Sequence, residues 1–304
     1  MPPFVLLHAG EPDPTGFLYS AWTPQPGILV GLFALVAAYV LLTGPLNRRS
    51  PGWEERTVSG GQKVAFYGGV LTLLVALGPP LDDWSDHYLL TAHMVQHMLL
   101  MLLAPPLLMV GVPGWMLAPL VRNPITNRIG FVLTRPVVAF GLASATLIGW
   151  HMPSLYEAAL SSDLLHMTEH AMFFGTAVLA WWPVLGMVPG WPRISPPLQC
   201  LYYFALTIPG AIAGAFIVFS PPGLYRPYDM APRVFGLDLA TDLQIAGLLM
   251  WVGEGVIFLL LITVTFLRWA NEQERADRAL AAPARPGTTA RLVPPREAPA
   301  TERA

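Results

Sequence analysis

The chain has little of several residue types that define common binding sites. Cys200 is its one cysteine and Lys63 its one lysine among 304 residues. A single cysteine excludes an intrachain disulfide and any cysteine cage for zinc or an iron–sulfur cluster. Charged residues make up only 12% of the sequence and the formal net charge is -2, so no basic surface is available to neutralise phosphates. Nucleic acid is therefore not an expected partner, and a bound metal must use ligands other than cysteine.

Long apolar stretches dominate what is present. Hydrophobic residues make up 54% of the chain and the mean hydropathy is +0.52, which favours the lipid bilayer as its solvent. Stretches long enough to cross a membrane, or slightly shorter, cover residues 28–42, 64–81, 89–112, 137–150, 165–188, 198–219 and 242–267. The fourth could begin earlier, near Ile129. The sequence thus predicts an all-α, polytopic bundle of about seven transmembrane helices over residues 28–267.

The distribution of positive charge predicts the orientation of these helices. Of the 17 Lys and Arg residues, four lie between the first two spans, three between the third and fourth, one between the fifth and sixth, and seven beyond the last. Cytoplasmic loops retain positive charge, so we expect the N-terminus outside and the C-terminus in the cytoplasm. No Lys or Arg precedes the first apolar patch, so residues 1–27 are expected to be an outer segment rather than a cleaved signal. Residues 268–304 are expected to form a polar helix and a disordered tail.

All seven histidines fall on the predicted outer side, which is defined by the Lys and Arg distribution alone. Two pairs, His93 with His97 and His166 with His170, are each four residues apart in a predicted helix, and His151 ends another. A spacing of four residues places two imidazoles on one helix face, about 6 Å apart along the axis. We therefore predict that these five histidines converge on one metal site.

Softer and harder donors accompany the histidines. Met101 continues the stripe of His93 and His97, and imidazole with thioether favours copper, especially Cu(I). Asp242 and Gln244 begin the last span on the same side, where a carboxylate would orient an imidazole. Zinc bound by the histidines alone stays open, as does haem held by imidazoles on facing helices. Glu254, near the middle of the last span, is a secondary candidate.

A single histidine inside a membrane is more often a packing residue than a ligand. Five at one depth would be costly to leave without partners, which favours a metal or haem site. Three functions remain open on these residues: a copper-binding assembly factor, a haem-binding membrane oxidoreductase, and a copper transporter.

Four stretches resemble the CtaG-type cytochrome c oxidase assembly factors, a family of multi-helix membrane proteins associated with copper insertion. They are AHMVQHMLLMLLAPPLLMVGVP (92–113), WHMPSLYEAAL (150–160), LHMTEHAMFF (165–174) and TDLQIAGLLMW (241–251). The resemblance covers about residues 85–260, and the combination is more specific than any single stretch. It departs at Leu243, where the family commonly has a glutamine.

The resemblance implies both the functional positions and the role. The matching positions are His93, His97, His151, His166, His170, Asp242 and Gln244. The implied protein is not an enzyme: it lies in the cell membrane, holds copper toward the outer face and supports formation of the CuB centre. The implied partners are the catalytic subunit of cytochrome c oxidase, other copper chaperones and membrane lipid.

Overall fold

The structure is a computed structural model that describes residues 26–49, 56–221 and 223–281. All regular structure in these ranges is helical, which confirms the predicted all-α class. Nearly all of the predicted N-terminal segment, residues 1–27, lies outside the described residues. The same holds for the predicted tail after residue 281.

The first half of the described chain supplies one pair of the histidines. Its helices are α1 (Pro26–Thr43), α2 (Pro45–Arg48), α3 (Gly60–Leu77), α4 (Leu81–His87) and α5 (Leu90–Met98). A π-helical turn, Leu99–Leu103, joins α5 to α6 (Ala104–Gly111). A 3₁₀ turn, Gly114–Leu117, then leads into α7 (Ala118–Arg122) and α8 (Pro124–Leu133).

The second half supplies the other three. It contains α9 (Pro136–Trp150), α10 (Pro153–Leu160), α11 (Asp163–Leu185), α12 (Pro196–Val218), α13 (Arg226–Met230) and α14 (Leu239–Leu248). A second π-helical turn, Leu249–Gly253, connects α14 to α15 (Glu254–Ala281). The last helix therefore continues well past the predicted end of its span at residue 267.

Local sequence signals set where several helices begin and end. Ser59 accepts the backbone N–H of Gln62 while the Gln62 side chain accepts the Ser59 N–H, a reciprocal cap that starts α3. Asp238 caps α14 by accepting the Thr241 N–H at 2.8 Å, which lowers the pKa of that carboxyl. Gly186 ends α11 in the left-handed conformation, with φ +54°.

The helices have the lengths and composition of a multi-pass membrane protein. Among the described residues, five helical segments are long and apolar enough to cross a bilayer, and a bent pair would make six. They are Pro26–Arg48, Gly60–His87, Leu90–Gly111, Pro196–Val218 and Leu239–Ala281, with Pro124–Leu133 and Pro136–Trp150 as the pair. The count of seven spans and the orientation of the termini stay predictions.

Two predicted spans differ from this set for identifiable reasons. Helix α11, predicted as the fifth span, has 23 residues and so the required length, but it carries Glu169 and two histidines in its first half. The fourth predicted span does not extend back as one straight helix: α8 and α9 are bent by 70° at Thr134 and Arg135. Pro136 follows the break, where its missing N–H costs the helix nothing.

Close packing of two glycines holds α12 against α14. A Cβ on Gly214 would lie 2.5 Å from the Gly247 carbonyl oxygen, and a Cβ on Gly247 would lie 2.6 Å from the Gly214 oxygen. Both obstacles are backbone atoms, which cannot rotate away. Such close approach of small residues is a common way to join helices in membranes.

Gly214→Ala is expected to destabilise the protein by about 1–3 kcal/mol, because the added methyl group forces the two backbones apart. Thermal unfolding of the purified protein in detergent measures the loss. Gly141→Ala is the matched control, since nothing lies within 4 Å of a Cβ at that helical glycine. Equal unfolding temperatures for the two variants would show that the crossing is not close-packed as described.

Candidate metal centre

The two helical histidine pairs form as their spacing predicts. His93 and His97 lie on α5 with ring centroids 4.2 Å apart, and His166 and His170 lie on α11 with the same separation. His151 follows the last residue of α9. The structure brings all five together and buries them, since none is more than 9% exposed.

The rings of the two pairs meet across the interface between α5 and α11. His93 lies 5.8 Å from His166 and 6.2 Å from His170 between ring centroids, and His97 lies 5.7 Å from His170. His151 joins the group through His97, at 5.5 Å. Ligand atoms of His93, His97 and His170 all lie within 4.8 Å of one another, a separation that one metal ion can bridge.

Several nitrogens of this cluster have no hydrogen-bond partner among the described residues. They are His93 Nε2, both nitrogens of His97, His151 Nε2 and His170 Nε2. Leaving a buried polar atom without a partner costs about 1–3 kcal/mol each. Imidazole nitrogens that face one another without partners are what a metal ion would satisfy, so the donor set fits a metal that prefers nitrogen.

Hydrogen bonds to the opposite ring nitrogens orient two of the imidazoles. The Nδ1 atom of His93 lies 3.3 Å from the hydroxyl of Tyr228, which also donates to the Ser85 carbonyl oxygen at 2.6 Å. Tyr156 donates its hydroxyl to Tyr228 at 3.0 Å. Burial raises the pKa of Tyr228, so this hydroxyl stays protonated. A His93 ring that donates from Nδ1 to Tyr228 presents the lone pair of Nε2 to the cluster.

The imidazole of His151 is oriented by a hydrogen bond to a backbone carbonyl group. Its Nδ1 atom lies 2.7 Å from the Leu147 carbonyl oxygen, one turn earlier in α9. A carbonyl only accepts, so Nδ1 carries the proton and Nε2 has the lone pair. Burial lowers the pKa of His151 to about 4, and the ring is therefore neutral at pH 7, as metal binding requires.

Two buried carboxylates adjoin the cluster, and sequence reasoning missed both as site residues. Glu169 Oε1 lies 3.7 Å from His97 Nε2, and Asp86 Oδ1 lies 3.5 Å from His166 Nε2. Burying carboxylates among neutral imidazoles costs several kcal/mol unless a cation compensates them. An acid between two histidines of a predicted span was the available signal for Glu169. No comparable signal marked Asp86, which lies outside the predicted spans.

Asp242 positions the helix α5, which carries His93 and His97, and not an individual imidazole ring. Its two carboxylate oxygens accept the backbone N–H groups of Leu90 and Thr91, each at 2.9 Å, and the Thr91 hydroxyl donates to the Asp242 carbonyl oxygen at 3.1 Å. These bonds tie α14 to the first turn of α5, just before His93. The expected bond from a carboxylate to an imidazole is therefore replaced by a cap on the helix that carries two of the histidines.

Asp242→Ala is expected to lower the free energy of unfolding by about 2–4 kcal/mol, because the buried N–H group of Leu90 and the partly buried N–H group of Thr91 lose their acceptors. Chemical or thermal unfolding in detergent measures it. Asp238→Ala, which removes an exposed cap from the neighbouring turn, is the control and is expected to have a smaller effect. If both variants lose the same stability, Asp242 does not have this role.

Gln244 and Met101, the other two predicted site residues, are not part of the histidine cluster. Gln244 is exposed, one position beyond the buried Leu243. Met101 falls in the π-helical turn after α5, where the extra residue per turn breaks the straight-helix stripe on which its prediction relied. It lines a cavity of about 30 Å³ together with Ser144 and Glu254, enough for about one water molecule.

Most of the chain matches a known protein family. The family model described as cytochrome c oxidase caa3 assembly factor matches residues 37–272, a range that contains all five histidines. Uncharacterised proteins of Mycobacterium leprae (strain TN) and Mycobacterium bovis are 22% identical over 81% of this chain. The chain spans about two fifths of the length of these curated relatives, 39% of each. No solved structure matches the chain.

Proposed function

The chain belongs to the cytochrome c oxidase caa3 assembly factors, and from this premise we propose that it binds copper at its histidine cluster and delivers it to the oxidase. The cargo would be held by His93, His97, His151, His166 and His170 and passed to the catalytic subunit during formation of the CuB centre. The observation that carries the proposal is the set of buried imidazole nitrogens without partners, three of whose residues offer ligand atoms within 4.8 Å.

The ligand set suits a carrier better than a permanent metal cage. Imidazole donors bind copper well. Within the five histidines, His93, His97 and His170 can offer three ligand atoms to one ion, which keeps a position open for a group of the receiving protein. Exchange of ligands one at a time would let the ion leave without passing through water. Only metal–ligand bonds are exchanged and no covalent bond of the partner is made or broken, so the proposed role is not enzymatic.

Membership of this assembly-factor family also suggests a partner and a location for the protein. An oxidase built in the membrane would meet the chain side by side in the bilayer, with lipid as the common surroundings and the cluster toward the outer face. A soluble or membrane-bound copper chaperone would supply the ion. These are proposals about the whole protein, which in the curated relatives is more than twice as long.

His170→Ala is expected to lower the copper content of the oxidase when the variant replaces the wild-type protein in cells that depend on it, because one ligand of the three-histidine group is lost. The measurement is copper per haem in the purified oxidase. Met167→Ala, an exposed position on the same turn of α11, is the control and should leave the ratio unchanged. Normal copper in the oxidase of the His170 variant, at equal protein level, would count against delivery from this cluster.

Haem binding is the weaker alternative on geometric grounds. A porphyrin held by two imidazoles needs an open slot between their rings. Here Phe173 packs 4.4 Å from His97 and 5.7 Å from His151, and Tyr156 lies 5.2 Å from His93, so aromatic rings occupy the space around the nitrogens. A Soret absorbance in the purified protein would reverse this preference.

Transport of copper across the membrane has one observation in its favour. Met101 and Glu254 line the same small cavity deeper in the bundle, which offers a thioether and a carboxyl beyond the histidines. Copper uptake by vesicles containing only this protein would support transport. Uptake no faster than in protein-free vesicles, together with loss of oxidase copper in the His170 variant, would support delivery.

A further inference from the structure

The ligand atoms around the cluster fall into two groups of three rather than one group of five. The deep group is His93, His97 and His170, and the shallow group is Asp86, His93 and His166, each with its ligand atoms within 4.8 Å of one another. His93 is the shared member. Each group supplies enough donors to hold an ion with an open position.

The two groups lie at different depths along the same helices. His93 and His166 lie in the first turns of α5 and α11, which begin at Leu90 and Asp163. His97 and His170 follow one turn later, about 6 Å farther along each axis. Asp86 comes from α4, the short helix that precedes α5. The shallow group is therefore the one nearer the helix ends.

The donor chemistry of the groups also differs. The deep group has three imidazoles, whereas the shallow group has two imidazoles and a carboxylate, with Asp86 Oδ1 3.5 Å from His166 Nε2. Mixed nitrogen and oxygen donors favour a divalent ion such as Cu(II). The carboxylate also supplies negative charge that attracts an incoming cation.

His93 can serve only one group at a time. Its Nδ1 atom faces the Tyr228 hydroxyl at 3.3 Å, which leaves Nε2, without a partner among the described residues, as the metal-binding atom. One nitrogen has one lone pair and binds one ion. Two ions in the two groups at once would need a second nitrogen from this ring.

We propose that one copper ion has two alternative positions in this cluster, and that it moves between them while His93 stays bound. This inference rests on the proposed copper function and adds Asp86 as a ligand. In the shallow position the ion is held by Asp86, His93 and His166. On moving inward it exchanges Asp86 and His166 for His97 and His170, with no change in oxidation state and no proton released.

The test is copper stoichiometry of the purified full chain in detergent after exposure to excess Cu(II) and removal of loosely held metal. Elemental analysis is expected to give one copper for the wild type, for Asp86→Asn and for His97→Ala, because each single variant retains one position. The double variant Asp86→Asn/His97→Ala is expected to hold at least about tenfold less. Asp83→Asn, a carboxylate one turn earlier in α4, is the control and should match the wild type.

Electron paramagnetic resonance of bound Cu(II) identifies which donor atoms bind the ion. The His97 variant should show a mixed nitrogen and oxygen signal, and the Asp86 variant a signal from nitrogen donors. Two coppers per wild-type chain would overturn the sharing of His93. Complete loss of copper in correctly folded His97→Ala would overturn the shallow position and leave the proposed function standing. No copper in the wild type would overturn both.

A rate measurement keeps the inference testable if His97→Ala does not fold. Extraction of copper from the wild type by an excess chelator should be at least about tenfold faster than from Asp86→Asn, because the variant removes the exit position. Asp83→Asn should release copper at the wild-type rate. Equal rates for the wild type and Asp86→Asn would overturn the shallow position as a way in and out.

Discussion

Replacing His93 with alanine is expected to lower copper affinity about 100-fold or more, which is the largest effect of any single substitution in this protein. The imidazole belongs to both groups of ligands, so its loss leaves only two donors at each position. The oxidase assembled with this variant should lack most of its copper. Equilibrium copper binding by the purified variant and copper per haem in the oxidase give two independent measurements.

His87→Ala provides the matched control for this experiment. His87 lies in α4 close to the cluster, but its Nδ1 atom lies 3.2 Å from the Asp83 carbonyl oxygen and it belongs to neither group. The control should bind copper as the wild type does. If the two histidine variants bind copper equally well, His93 is not a ligand and the arrangement of two positions fails with it.

Tyr228→Phe is expected to weaken copper binding by about 10–100-fold although Tyr228 is not itself a ligand. Its hydroxyl lies 3.3 Å from His93 Nδ1, accepts from Tyr156 and donates to the Ser85 carbonyl oxygen. Without it the His93 ring loses the partner that fixes its tautomer and orientation. Copper affinity by competition with a chelator of known strength measures the effect.

Tyr202→Phe separates this positioning role from general loss of stability. Its hydroxyl is also buried and donates to the Ala180 carbonyl oxygen at 3.1 Å, in a part of the core away from the histidines. Both substitutions should cost about 1 kcal/mol of stability per hydrogen bond lost. Only the Tyr228 variant should lose copper affinity, and equal affinities in the two variants would contradict the role assigned to Tyr228.

The long apolar helices were predictable from the sequence because apolar stretches of about twenty residues, or slightly fewer, are typical of membrane spans. Each of the seven predicted stretches contains a helix, for example 198–219 against Pro196–Val218. The ends of these helices were less predictable than their positions. The break between α8 and α9 at Thr134 and Arg135 depends on packing, which hydropathy does not report.

The candidate site was predictable where helix geometry alone decides position. A spacing of four residues sufficed to place His93 beside His97 and His166 beside His170. Contacts between distant segments could not be read in this way. Asp86, Glu169 and Tyr228 reach the histidines only because α4, α11 and α13 meet there.

The remaining differences between the predicted and the observed site concern which side of a helix a residue faces. The stripe from His97 to Met101 assumed an uninterrupted α-helix, and the π-helical turn Leu99–Leu103 changes which side later residues face. In α14, Asp242 is buried while Gln244, two residues on, is exposed, as helical periodicity requires. The sequence motif suggested both residues, but the helix presents only one of them to the interior.

Metal analysis and the absorption spectrum of the purified wild-type chain, recorded beside the His93→Ala variant, test the central claim most directly. Copper bound by nitrogen donors in the wild type, little or none in the variant, and no Soret band in either are the predicted results. An intense Soret absorbance with no copper would contradict the account, and so would equal copper in the two proteins.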